Sequence, residues 1–108
     1  MELHYSFKQM DPSDSLREYT QEKSLKLTKY FHGKSHVTWT FSIEKLNRIV
    51  HCHLVGNHMD YFGEAMSEDF HTSIDSALEK IEKQIRKHKE IVKDHLHGHK
   101  APIPGSEG

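Results

Sequence analysis

A single amphipathic period governs the C-terminal third of the chain. Phe70, Ile74, Ala77, Leu78, Ile81, Ile85, His88 and Val92 recur at three- and four-residue steps. With Ser67 or Asp69 as cap, that spacing predicts a helix of about seven turns carrying one apolar stripe. A helix of this kind must bury its stripe against a second layer. Period-two alternation elsewhere supplies one. Leu3, Tyr5 and Phe7 alternate with His4, Ser6 and Lys8 over 3–8. Val37, Trp39, Phe41 and Ile43 do so over 36–45, Val50, Cys52 and Leu54 over 49–55, and Tyr61, Gly63 and Ala65 over 60–67. Each reads as a half-buried strand. Leu46-Asn47-Arg48 and Gly56-Asn57-His58 are the expected hairpin turns. Gly63 offers nothing to pack, so a helix is expected to approach closely there.

Between the first two strands, Asp11-Pro12-Ser13 provides an N-cap, and a helix is expected from about 13 to 32, stopping near Gly33. Its stripe, Leu16, Thr20, Leu27 and Phe31, is flanked by Tyr19 and Tyr30. The order is strand, helix, three strands, helix. A right-handed crossover then makes the first strand pair parallel, and the remaining strands form an antiparallel meander. Each strand has one apolar face, so both helices must cover that same face. The expected fold is α+β, β-α-β-β-β-α, with a four-stranded mixed sheet and two helices side by side. In outline this resembles the double-stranded RNA-binding domain.

A hydrophobic fraction of 34% allows only a thin core, and 108 residues make one domain. Residues 1–96 should form it. Residues 97–108, with Gly98, Pro102, Pro104 and Gly105, read as a flexible tail. Cys52 is the only cysteine, which excludes an internal disulfide and reads as a small buried strand residue. No apolar run approaches the roughly 20 residues of a membrane span, and the N-terminus opens directly on a strand pattern without a signal peptide. A cytoplasmic location is expected, with no membrane partner.

The charge is sorted. Segment 15–34 holds five basic and two acidic residues, and segment 79–100 seven basic and four acidic, in a chain of net charge −1. Such sorting presents basic faces to a polyanion. On the last helix Lys80, Lys83 and Lys87 form one ridge, and Arg86, Lys89 and Lys93 another. Glu79–Lys83, Glu82–Arg86 and Glu22–Lys26 have the spacing of helix ion pairs, each worth about 0.2–0.5 kcal/mol. Lys23, Lys29, Lys80, Lys87 and Lys89 lack an acid four residues earlier. The topology sets the two basic segments side by side. Lysines of this kind would grip phosphate and RNA shape rather than read bases.

Other classes are weaker. No Ser-His-Asp or Cys-His set and no glycine-rich phosphate loop is present, so no enzyme and no cofactor is expected. The eleven histidines are the material for a rival reading as a metal-binding domain, through His51 and His53 on one strand face or His88, His95, His97 and His99 near a helix end. No four-ligand constellation emerges from either group. A generic small RNA-binding domain is the other alternative. Histidine also titrates near pH 6.5, so acidification from pH 7.5 to 6 is expected to tighten a polyanion contact.

Particular residues identify a family. Arg17-Glu18-Tyr19, Lys23, Lys26-Leu27 and Tyr30-Phe31 are similar to its first helix, and Ile43-Glu44-Lys45 to its second strand. Asp69-Phe70, Ile74-Asp75, Leu78, Lys80-Ile81-Glu82 and Gln84-Ile85-Arg86-Lys87-His88-Lys89 are similar to its last helix. From residue 1 to about 95 the chain resembles the bacterial hibernation-promoting factor and ribosome-associated inhibitor family, in its short form. The resemblance implies binding to the small ribosomal subunit between head and body, across the mRNA and tRNA sites. It implies inhibited translation and preserved inactive ribosomes in stress or stationary phase. It further implies that Lys23, Lys26, Lys29, Lys80, Lys83, Arg86, Lys87 and Lys89 face ribosomal RNA, and that a short form pairs ribosomes only with a second, small modulation factor. The free protein is expected to be a monomer. A short, histidine-containing tail favours the hibernation-promoting branch over the inhibitor branch.

Overall fold

Four strands form one sheet in the order β1-β2-β3-β4: β1 Glu2–Lys8, β2 His36–Glu44, β3 Asn47–Gly56 and β4 Met59–Ser67. The computed structural model describes residues 1–30, 33–56 and 58–97, and for 89–97 the course of the helix alone. β1 and β2 pair parallel from Glu2↔His36 to Lys8↔Ser42; β2–β3 and β3–β4 are antiparallel. Helix α1, Asp14–Ser24, makes the crossover, and α2, Phe70–His97, follows β4. The expected mixed sheet with two helices on one face is therefore the observed architecture.

Alternation does what it should except at Ile43, an expected inward residue that is exposed at the end of β2 beside the turn. Val37, Trp39, Phe41, Val50, Cys52 and Leu54 are fully buried beneath Leu16, Leu27, Ile74, Ala77, Ile81 and Ile85. Phe7 stacks on Phe41 with centroids 4.9 Å apart, and Phe70 meets Phe41 edge-on. The Trp39 indole and three buried hydroxyls of this layer are satisfied. The Trp39 indole N–H donates to Ser24 Oγ at 2.9 Å, Thr20 Oγ1 donates to the Leu16 carbonyl at 2.8 Å, and Ser73 Oγ to the Arg48 carbonyl at 2.7 Å. Gly63 lies under α2, where an added Cβ would collide with the Ala77 carbonyl oxygen. That is the close approach its lack of a side chain implies.

Three local expectations are corrected. The first helix is α-helical only to Ser24 and tightens into a 3₁₀ segment over Leu25–Tyr30. Ser24 spends its hydroxyl on Trp39, and Thr28 Oγ1 turns back to the Leu25 carbonyl at 2.7 Å. The local Thr28 bond competes with the α-ladder, and the Ser24 bond is a tertiary one to β2. Gly33 has φ 97, as suits a residue past a helix end, while Phe31, expected on the stripe, lies outside the described residues. The β2–β3 turn is Lys45-Leu46, earlier than expected, because Lys45 takes a left-handed φ of 60 and lets Glu44 pair with Asn47. Finally, His97 still closes α2, so helix reaches one residue into the expected tail; 98–108 lie outside the described residues.

Both helices begin on side-chain caps. Ser13 Oγ accepts from Leu16 N at 3.2 Å, and Asp69 accepts from Thr72 N at 3.0 Å. The backbone donor at Thr72 holds the Asp69 carboxyl below its ordinary range.

Candidate nucleic-acid interface

The exposed side of the helical layer carries the basic residues. Lys26, Lys29, Lys80, Lys83, Arg86 and Lys87 are exposed and Lys23 is half-buried. The side chain of Lys89, also expected in this set, lies outside the described residues. Lys26 and Lys29 are displayed by the 3₁₀ segment; Lys29 Nζ sits 5.3 Å from the Tyr30 ring centre. Lys23 Nζ lies 5.2 Å from the Tyr19 ring, so that aromatic faces hold two of the four lysines of segment 15–34.

On α2 the basic residues divide by direction, at 100° per residue. Lys80 and Lys87 share the side of Gln84, which faces the β4 edge. There Gln84 Nε2 donates to the Phe62 carbonyl at 2.7 Å, Gln84 Oε1 accepts from Phe62 N at 3.3 Å, and the Lys80 ammonium donates to the Glu64 carbonyl. Lys83 projects outward, opposite the apolar stripe, and Arg86 stands between that direction and the side turned to α1. Asp75, His71 and Glu82 share the side turned to α1. The junction between the helices is thus not a seam of lysines. Tyr19 OH donates to both Asp75 carboxylate oxygens, at 2.9 and 3.1 Å, and the Tyr19 ring stacks on His71 at 4.1 Å. Desolvation, reinforced by the Asp75 bond, raises the Tyr19 pKa. The surface suited to a polyanion is therefore the outer side of the helical layer, continued at one margin over the β4 edge.

Among the described residues the ion pairs are Arg17–Asp14 and four histidine–carboxylate pairs. The expected Glu79–Lys83, Glu82–Arg86 and Glu22–Lys26 pairs are not formed. Holding two long exposed side chains together costs as much entropy as such a pair returns. Lys83, Arg86 and Lys26 thus present themselves more openly than their spacing suggested. Lys80, one of the five lysines without an acid four residues earlier, is instead tied to the sheet at the Glu64 carbonyl.

Sequence reasoning overlooked two cations. Arg17 reaches Asp14 at 2.6 Å and lies 5.2 Å from the Phe7 ring, and the Arg48 guanidinium is 5.9 Å from the Phe70 ring. The Asp14-to-Arg17 spacing is a helix-pair signal that could have revealed the first; the second needs the tertiary fold. The opposite face of the sheet has another character. His4 and His36 lie beside Glu2, His51 beside Glu64 and His53 beside Asp60. Four of the histidines therefore sit away from the cationic layer.

The model of the sigma 54 modulation protein / S30EA ribosomal protein family matches residues 3–93. The chain belongs to that family. Its curated relatives include a ribosome hibernation promoting factor of Azotobacter vinelandii, 29% identical over 107 residues, covering 96% of this chain and all of the relative. A protein of the same name from Escherichia coli K12 is 27% identical over 95 residues, covering 88% of this chain and all of the relative. Among solved structures, a ribosomal subunit interface protein from Coxiella burnetii superimposes with a TM-score of 0.72 at 26% identity, covering 83% of this chain and 99% of that one. The N-terminal domain of Thermus thermophilus Protein Y reaches a TM-score of 0.75 at 18% identity, over 82% of this chain and 99% of that domain, a likeness of fold. The family expected from the helix residues is thus the family found. No helix among the described residues is long and apolar enough to cross a membrane.

Proposed function

We propose that this protein is a cytoplasmic, non-enzymatic ribosome hibernation factor. It binds the small ribosomal subunit in the mRNA and tRNA channel, inhibits translation and preserves inactive ribosomes under stress or in stationary phase. The observation that carries the reading is the outer helical surface. It displays Lys26, Lys29, Lys83, Arg86 and Lys87, in a family whose curated relatives bear the name ribosome hibernation promoting factor.

Lys23 and Lys80 flank that surface, and Lys89 is proposed as a further RNA contact from the sequence alone. Their ammonium groups are point charges on long stems and suit ribosomal RNA phosphates. A phosphate at the β4 edge would find Lys80 already oriented, since one of its three donors is fixed on a carbonyl. The protein acts as a monomer that occupies the channel, and pairing of ribosomes is left to a separate small modulation factor.

A sucrose-gradient profile of ribosomes with and without the protein tests this reading. The protein should migrate with particles that contain the small subunit, and translation by those ribosomes should fall. Protein that stays at the top of the gradient in low salt would remove the proposal.

A further inference from the structure

The outer face of the sheet, opposite the cationic helices, gathers a group that RNA binding does not use. Glu2 and His4 are alternate residues of β1, and His36 is the register partner of Glu2 on β2. The His36 Nδ1 and His4 Nε2 atoms lie 2.7 and 3.2 Å from the same oxygen, Glu2 Oε1. Their donor atoms all lie within 4.8 Å of one another. The two rings run near-parallel, with centroids 6.1 Å apart. All three side chains are exposed, so an ion can reach them without unfolding.

We propose that Glu2, His4 and His36 form a binding site for a divalent late first-row transition metal, zinc above all. Two imidazole nitrogens and one carboxylate oxygen are a donor set that such ions prefer, and calcium or magnesium would instead require oxygen. Tetrahedral zinc at 2.0–2.1 Å from each donor needs donor separations of roughly 3.3 Å. The two measured approaches to Glu2 Oε1, 2.7 and 3.2 Å, both fall short of that distance by well under an ångström, so small side-chain rotations about a fixed strand pair suffice. Water would fill the fourth position. The strand pairing supplies the rigidity: the donors come from adjacent parallel strands locked in register by Val37 and Trp39 beneath them. The site would clasp edge strand β1 to β2, and zinc would stabilise the fold by mass action.

The test is a zinc titration of the full-length protein, stripped of metal and purified without an affinity tag. Imidazole proton resonances and calorimetry serve as readouts. The first equivalent of zinc should shift the His4 and His36 signals and raise the melting temperature. His36→Gln should weaken that equivalent about tenfold or more, since even supporting residues of metal sites cost that much. A His51→Gln/His53→Gln variant should leave it unchanged. His4 and His36 are exposed and His51 and His53 half-buried on the open sheet face, and unaltered amide spectra would show that the variants fold. The proposal is overturned if the first equivalent shifts other histidines, such as those near the end of α2, or survives in a His4→Gln/His36→Gln variant. Absence of zinc binding at a stoichiometric ratio overturns it equally.

Discussion

Trp39 shows how much one side chain can fix. Its ring is fully buried at the centre of β2, and its indole N–H is satisfied by the buried hydroxyl of Ser24, across the layer from sheet to α1. Trp39→Phe removes the donor and strands Ser24, so a loss of about 1–3 kcal/mol in stability is expected in urea denaturation. Gly63 makes the complementary point. Gly63→Ala adds only one carbon, but that carbon meets the backbone of α2 at Ala77, which cannot rotate away. Overpacking of about 1–3 kcal/mol is expected, opposite in sign to the usual gain from removing a glycine. Cys52 is a third case. Burial drives its thiol pKa far upward, so it should resist disulfide exchange reagents in the native state and react only as the protein unfolds. Rapid labelling of folded protein would contradict its placement.

Elements were legible where one residue type had one destination. The strands follow from alternation because a sheet covered on one side leaves no other arrangement for Val37, Trp39 and Phe41 or for Val50, Cys52 and Leu54. The α2 stripe followed in the same way. The 3₁₀ segment was not legible, since it depends on which partners Ser24 and Thr28 choose, and one of those partners lies on β2. The destinations of the lysines were hidden for the same reason. Spacing along α2 distinguishes faces, but only the packed sheet shows that the face of Lys80 and Gln84 closes the β4 edge. Two consequences belong to this scale. Lys80→Glu should cost both stability and RNA affinity, whereas Lys83→Glu should cost affinity with little change in the melting temperature. Equal melting temperatures for the two variants would contradict the edge contact. At the start of α2, the Asp69 pKa is depressed by its cap bond to Thr72. Its contribution is therefore present above the ordinary carboxylate pKa and lost as pH falls through the depressed folded value. Asp69→Asn should flatten that part of the acid limb of stability below about pH 4. An acid limb identical to that of the parent protein would count against the cap.

As a whole, the molecule has two unlike surfaces. The helical side displays lysine and arginine, and the open sheet side displays histidines set against carboxylates. A net charge of −1 conceals this division, which is why composition alone says so little about the partner. The most direct measurement is the affinity for purified small ribosomal subunits between 50 and 200 mM salt, for the parent protein and a Lys83→Glu/Arg86→Glu/Lys87→Glu variant. If six to ten phosphates are gripped, affinity should fall roughly 10³- to 10⁵-fold over that range, by analogy with duplex DNA. The variant should lose about three units of the logarithmic salt slope. A salt-independent affinity, or a folded variant that binds as the parent does, would contradict the assignment of the helical surface to ribosomal RNA.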